Sequence, residues 1–350
     1  MYEQGDIKGS LAALDTAIGL EPRNASAYLT RGLVLAHSGL REEACADFSR
    51  AIEVDPRCAE AFFNRGVSRH LSGDEAAAIS DYTAALAISP DHVGALRNRG
   101  AALSGVGKYE EAIRDYDRSL SIEPLSADAL SNRGIALKRL GRLEDALKDY
   151  DRAVQIGGDS IALVNRAICL KDMGRYEQSI LDLNEVLARD PEYVEAWQVR
   201  SLAHKGLGNF SQAINDAGRA IQLAPDIALS YFNRGVLHAE IKEWQLAIAD
   251  YDRAIELAPR SGMAWNNRGA AKRESGDIRA SLEDIDRAIA LEPKEPVCYS
   301  NRAYSRGALG NVVGAIEDLK TATNICAPDW GGLKEAMSYL EDLVGRRPSL

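Results

Sequence analysis

Asn64-Arg65-Gly66, Asn98-Arg99-Gly100, Asn132-Arg133-Gly134, Asn233-Arg234-Gly235 and Asn267-Arg268-Gly269 fall on one 34-residue register. A self-similar unit of this length is one supersecondary element that cannot bury its apolar face alone, so stacked copies share a continuous core. Working outward from the tripeptide, full copies begin at Ala25, Ala59, Val93, Ala127, Ser160, Val194, Ala228, Gly262 and Pro296. With each copy numbered from 1 to 34, position 8 is Gly32, Gly66, Gly100, Gly134, Ala167, Ser201, Gly235, Gly269 and Ala303, and position 20 is always Ala or Ser. Side chains this small let two helices approach closely. Position 15 is Gly in eight of nine copies, where a left-handed C-cap ends a first helix. Lys242 is the exception and costs about 1 kcal/mol there. Pro56, Pro90, Pro124, Pro191, Pro225, Pro259 and Pro293, at position 32, stop a second helix before the next copy starts. Each copy therefore reads as a helical hairpin.

A chain of 350 residues could hold two or three domains, but the repeat runs almost end to end and no composition shift marks a linker, so one elongated array is expected. The net charge of -10 argues against non-specific attraction to nucleic acid or anionic lipid. No leader-like start and no run of eighteen apolar residues is present, which makes a cytoplasmic protein the default expectation. Cys45, Cys58, Cys169, Cys298 and Cys326 are scattered without a CxxC or a His/Cys cluster and read as buried free thiols.

An aromatic near position 4 (Tyr28, Phe62, Trp197, Tyr231, Trp265, Tyr299), small residues at 8 and 20, an aromatic at 24 (Phe48, Tyr82, Tyr116, Tyr150, Tyr251) and Pro at 32 resemble the tetratricopeptide repeat. The resemblance covers nearly the whole chain and recurs nine times in register. It implies an all-α solenoid, a right-handed superhelix of about one turn, whose first helices line a concave groove and whose second helices form the convex side. The organisation expected is an incomplete repeat over 1–24, nine repeats over 25–329, a capping helix over 330–345 and a tail over 346–350.

Residues 1–24 fit positions 11 to 34, with Gly5, Ala17 and Pro22 in register, so the first hairpin lacks its first helix. Two readings follow: the chain is a piece of a longer array, or the apolar side of Leu11, Leu14 and Ile18 meets a partner. At the other end Trp330, Leu333, Met337, Leu340 and Val344 follow helical spacing, opposed by Lys334, Glu335, Glu341 and Asp342, as in a solvating cap. Arg346-Arg347-Pro348-Ser349 reads as a disordered tail rather than a kinase site. At Gly157-Gly158-Asp159 the copy loses one residue and its Pro, which is either a break in superhelical regularity or an ordinary shortened turn.

Position 7, usually Leu in the family, is Arg31, Arg65, Arg99, Arg133, Arg166, Arg200, Arg234, Arg268 and Arg302, and position 23 is Asp in all nine copies. Pairing inside a hairpin leaves no orphan, whereas pairing between copies would set Arg31 against Ala13 and Asp318 against Ala336. A guanidinium holding a carboxylate through two parallel hydrogen bonds is therefore expected to lock each hairpin. The alternative, a phosphate track, is disfavoured because each Arg has a matched Asp.

Position 6 is Asn64, Asn98, Asn132, Asn165, Asn233, Asn267 and Asn301, interrupted by Thr30 and Val199. In the family this position faces the groove, and the series resembles the asparagine ladder of the O-linked N-acetylglucosamine transferase superhelix. A carboxamide offers donor and acceptor, so it can bond a peptide main chain of any sequence. With helices roughly 10 Å apart, an extended chain at about 3.3 Å per residue meets one Asn every three residues. Bracing between neighbouring helices is the competing reading. Phe63, Phe232, Leu229, Met263, Val297 and Tyr304 are expected to add apolar lining. Arg97, Lys138, Arg139, Lys171 and Lys205 form a basic strip that either accepts acidic or phosphorylated side chains or is solvated surface. The chaperone-binding carboxylate clamp is not expected, since position 9 is apolar from Leu33 and Val67 to Val236 and Ala270.

No catalytic, cofactor or metal constellation is found. Gly105-Val106-Gly107-Lys108 has Ala102 at the first Gly of a phosphate loop, and His204 and His238 share no Cys or carboxylate in their register. The sequence thus points to a non-enzymatic scaffold that binds a protein or peptide segment in its groove. A regulatory or targeting region of a larger enzyme or secretion apparatus, or a homo-oligomer through the N-terminal hairpin, are the alternatives.

Overall fold

The computed structural model describes residues 7–326 and 330–345, and the expectations for Gly5 and for Arg346-Arg347-Pro348-Ser349 fall outside them. Twenty α-helices and no strand occur among the described residues, in two compact units, Met1–Met173 and Gly174–Leu350. In the first unit α1 (Ile7–Leu20) precedes four hairpins: α2 (Ala25–His37) with α3 (Arg41–Val54), α4 (Ala59–Leu71) with α5 (Glu75–Ile88), α6 (Val93–Gly105) with α7 (Tyr109–Ile122), and α8 (Ala127–Arg139) with α9 (Leu143–Ile156). It ends on α10 (Ser160–Asp172). The second unit starts with α11 (Tyr176–Arg189). Its hairpins are α12 (Val194–Gly206) with α13 (Phe210–Leu223), α14 (Ala228–Glu240) with α15 (Trp244–Leu257), α16 (Gly262–Glu274) with α17 (Ile278–Leu291), and α18 (Pro296–Ala308) with α19 (Val312–Ile325). The last helix is α20 (Leu333–Gly345). The fold is an all-α helical repeat, as the register predicts.

The turn inside each hairpin follows from one backbone angle. Gly39, Gly73, Gly107, Gly141, Gly174, Gly208, Gly276 and Gly310 all take positive φ, between 74° and 99°. Lys242 is forced into the same left-handed region at φ 62°, as the one non-glycine residue to do so among the described residues.

Hairpin closure depends on matched volumes. A Cβ added at Gly134 would stand 2.7 Å from the Tyr150 ring, and one added at Gly66 would stand 2.7 Å from Tyr82. Gly32 with Phe48, Gly100 with Tyr116 and Gly235 with Tyr251 repeat the fit. Where position 8 carries a side chain the facing residue shrinks: Ala303 packs with Leu319, and Ser201 shares its hairpin with Ala217 and donates to the Ala213 carbonyl at 2.7 Å.

Arg133 donates from Nε to Asp149 at 2.7 Å and from Nη2 to its other oxygen at 2.6 Å. Arg31–Asp47, Arg65–Asp81 and Arg99–Asp115 form the same forked pair in the first unit. Arg200–Asp216, Arg234–Asp250, Arg268–Asp284 and Arg302–Asp318 form it in the second. These carboxylates are buried, with Asp149 only 3% exposed. The hydrogen bonds to Asp149 raise the hold of Arg133 on its proton, so the pair stays charged. For Arg166 and Asp182, which belong to different units, the pairing stays an expectation.

The third guanidinium nitrogen does something the sequence reading missed. Nη1 of Arg133 reaches Asp117 in the preceding copy at 2.6 Å. Arg31 reaches Asp15, Arg65 Ser49, Arg99 Thr83, Arg166 Asp151, Arg200 Asn184, Arg268 Asp252 and Arg302 Asp286 in the same way. One side chain thus closes its own hairpin and ties it to the one before.

At the C-terminal end α20 packs through Ala336, Tyr339, Leu340 and Leu343 onto Ala303, Ala315, Ile316 and Leu319. Met337, expected on that face, is 47% exposed. The small Ala336 side chain takes its place, fully buried, because it allows the closer approach.

Candidate functional site

Asn98 on α6, Asn132 on α8 and Asn165 on α10 stand at the same step of three successive first helices in the first unit. With Arg97, Asp128, Ser131, Ile135, Asp159 and Ile161 they line one concave depression of about 350 Å³. The N-termini of α8 and α10 open onto it. Ser126 caps α8 by accepting from the Ala129 N–H at 3.3 Å, and Asp159 caps α10 by accepting from the Ala162 N–H at 2.7 Å. Ile161, 60% exposed, supplies apolar surface at its edge.

The other ladder positions are engaged differently. Asn64 donates to the Glu60 carbonyl of its own helix at 2.7 Å. Asn301 donates to Asn266 at 3.1 Å, and the buried Asn266 donates to Asn267 at 3.1 Å, so these carboxamides brace α18 against α16. Asn233 is half-buried on α14. The two readings of the ladder thus divide along the chain: three Asn line a shared depression, while Asn267 and Asn301 are spent on packing.

Position 5 braces the following hairpin. Phe63 packs against His92 with ring centroids 4.6 Å apart and the rings tilted by 40°, and His92 caps α6 by accepting from the Ala95 N–H. Arg97 donates to Ser126 Oγ at 3.3 Å, and its Nη1 lies 4.0 Å from Glu123. Phe232 leans on Tyr251 of its own hairpin at 5.9 Å and packs against the core cluster that includes Ala264 of the next. Tyr304 is a packing residue, stacked on Tyr339 of α20 at 4.7 Å with Arg273 over its ring. Leu229 and Met263 remain exposed on α14 and α16, at 61% and 37%.

The lysines of the basic strip each lie near a carboxylate. Lys138 lies 3.4 Å from Asp172 and Lys171 2.8 Å from the same carboxylate, while Lys205 lies 3.8 Å from Glu240. Two carboxylates thus serve three lysines, and Arg139 is exposed beside Lys138. His204 and His238 each face the position 23 Asp on the second helix of their own hairpin. His204 Nε2 is 3.9 Å from Asp216, and His238 Nε2 is 3.8 Å from Asp250 with Nδ1 2.7 Å from Glu243. Burial pushes the His204 imidazole below its ordinary range.

Among the described residues no group of three or more His, Cys, Asp or Glu is placed to hold a metal ion, and no helix is long and apolar enough to cross a membrane. None of the five cysteines forms a disulfide among the described residues, and burial pushes the Cys298 thiol up to about 12.

A family model described as tetratricopeptide repeat matches residues 2–52, 38–93, 97–161 and 199–262, and a second of the same description matches 161–193. No curated protein matches the sequence. Among solved structures, a tetratricopeptide repeat protein from Parabacteroides merdae is similar at TM-score 0.58 and 20% identity, over 72% of this chain and 98% of that one. The Cut9–Hcn1 hetero-tetramer of the APC/C is similar at TM-score 0.58 and 15% identity, over 96% of this chain and 81% of that one. The human IFIT1 dimer with m7Gppp-AAAA is similar at TM-score 0.58 and 17% identity, over 99% and 87%. At these identities the likeness concerns the fold.

Proposed function

Because the chain belongs to the tetratricopeptide repeat family, whose members serve as protein-interaction scaffolds, we propose that it binds an extended polypeptide segment against the concave face of its first helices. The observation that carries this reading is the convergence of Asn98, Asn132 and Asn165 on one depression. Their carboxamides each offer a donor and an acceptor to a main chain, which needs both every few residues. Main-chain bonding gives affinity that tolerates sequence variation, and the variable neighbours Arg97, Ser131, Ile135 and Ile161 supply selectivity. The role proposed is a scaffold's, with binding rather than catalysis as its output.

A display selection of random twelve-residue peptides tests it. The wild-type chain is expected to enrich peptides, and the triple variant Asn98→Ala, Asn132→Ala, Asn165→Ala to lose at least ten-fold in affinity for them while keeping its thermal transition. Equal binding by the triple variant would overturn the reading.

A further inference from the structure

We infer that the segment taken up by this depression presents a lysine or arginine side chain to it, a conclusion that rests on the groove-binding reading and names its partner's charge. Three charged groups line the cavity: Arg97, Asp128 and Asp159. Arg97 is already committed, its guanidinium bonded to Ser126 and near Glu123. Asp128 is exposed, and no cation pairs with it among the described residues. Asp159 uses one oxygen to cap α10 and also meets no cation there. Elsewhere on the same helices Lys138 and Lys171 share the one carboxylate of Asp172, and neither lysine lines this cavity.

The uncompensated charge at the asparagine rungs is therefore negative. Ser131, Asn132 and Asn165 add acceptor oxygens around it, so an ammonium or guanidinium entering the cavity would find both charge and hydrogen-bond partners. The chain's net charge of -10 works in the same direction, steering cationic segments toward it and raising their association rate at low salt. An acidic or phosphorylated guest would face Asp128 and Asp159 with no lysine lining the cavity to offset them.

The peptide selection described above decides this point by a different readout. Peptides enriched on the wild-type chain are expected to carry Lys or Arg at least three times as often as Asp or Glu, and their affinity to fall at least ten-fold between 50 and 500 mM salt. On the double variant Asp128→Asn, Asp159→Asn, which keeps an N-cap on α10, the basic bias should disappear while peptides are still enriched. Enrichment on the wild type without that bias, or a bias unchanged in the double variant, would overturn the inference and leave the groove reading standing. Failure to enrich any peptide would overturn both.

Discussion

Gly218 and Arg234 face each other across the seam between α13 and α14, and a Cβ built on Gly218 would stand 3.7 Å from Arg234 Nη1. Every other position 7 Arg meets an oxygen-bearing side chain of the preceding copy at this place, from Asp15 and Ser49 to Asp286. Here the side chain is missing, so one tie between copies is absent. Gly218→Asp should restore it. Aspartate is about 0.6 kcal/mol poorer than alanine in a helix interior, yet Gly218→Asp is expected to match or exceed Gly218→Ala in urea denaturation. An aspartate variant less stable than the alanine one by that amount would mean that no tie forms.

Lys242 holds a left-handed backbone where eight other turns use glycine. Lys242→Gly should stabilise the chain by about 1 kcal/mol, read as a higher denaturation midpoint, because it relieves the clash between Cβ and the following carbonyl. No gain, or a loss, would show that the lysine side chain contributes contacts that outweigh the strain.

The fit of Gly134 to Tyr150 sets up a compensation experiment. Gly134→Ala alone would drive a methyl to 2.7 Å from the ring and is expected to cost about 1–3 kcal/mol. Adding Tyr150→Leu should recover much of that loss, since it reproduces the Ala303 and Leu319 pairing of the last hairpin. If the double variant is no better than the sum of the two single changes, the coupling is absent.

The His204 ring predicts a pH dependence. Burial lowers its pKa, Arg200 adds to the effect and Asp216 opposes it. An unfolded histidine takes up a proton near pH 6.5, whereas the folded ring does so only at lower pH. Its contribution to stability is then complete above about pH 6.5 and is lost as pH falls through the window below that value. His204→Gln should shrink the drop in Tm between pH 7.5 and pH 5.5. Identical drops in variant and wild type would count against a depressed ring.

Much of this architecture was legible in the sequence because its constraints repeat with one residue type. Position 15 glycine named the turn, and position 7 Arg with position 23 Asp named the hairpin lock. The link between copies was not legible because its acceptors differ. Asp117, Ser49, Thr83 and Asn184 share only an oxygen at position 25, and no residue-type pattern marks that. The pairing of the basic strip was hidden for a related reason. Lys138 finds a carboxylate one copy further along, at Asp172, where a local reading of charges does not place it. The bracing by Asn266 and Asn301 was equally hidden, since only the three-dimensional stack brings them together.

Where a single guanidinium both fastens a hairpin and joins it to its neighbour, displacing that one side chain loosens both joints, and the hairpins of the stack should yield together rather than peel. Pulled from its ends, the second unit would then part first at the junction that Gly218 leaves unfastened, between α13 and α14.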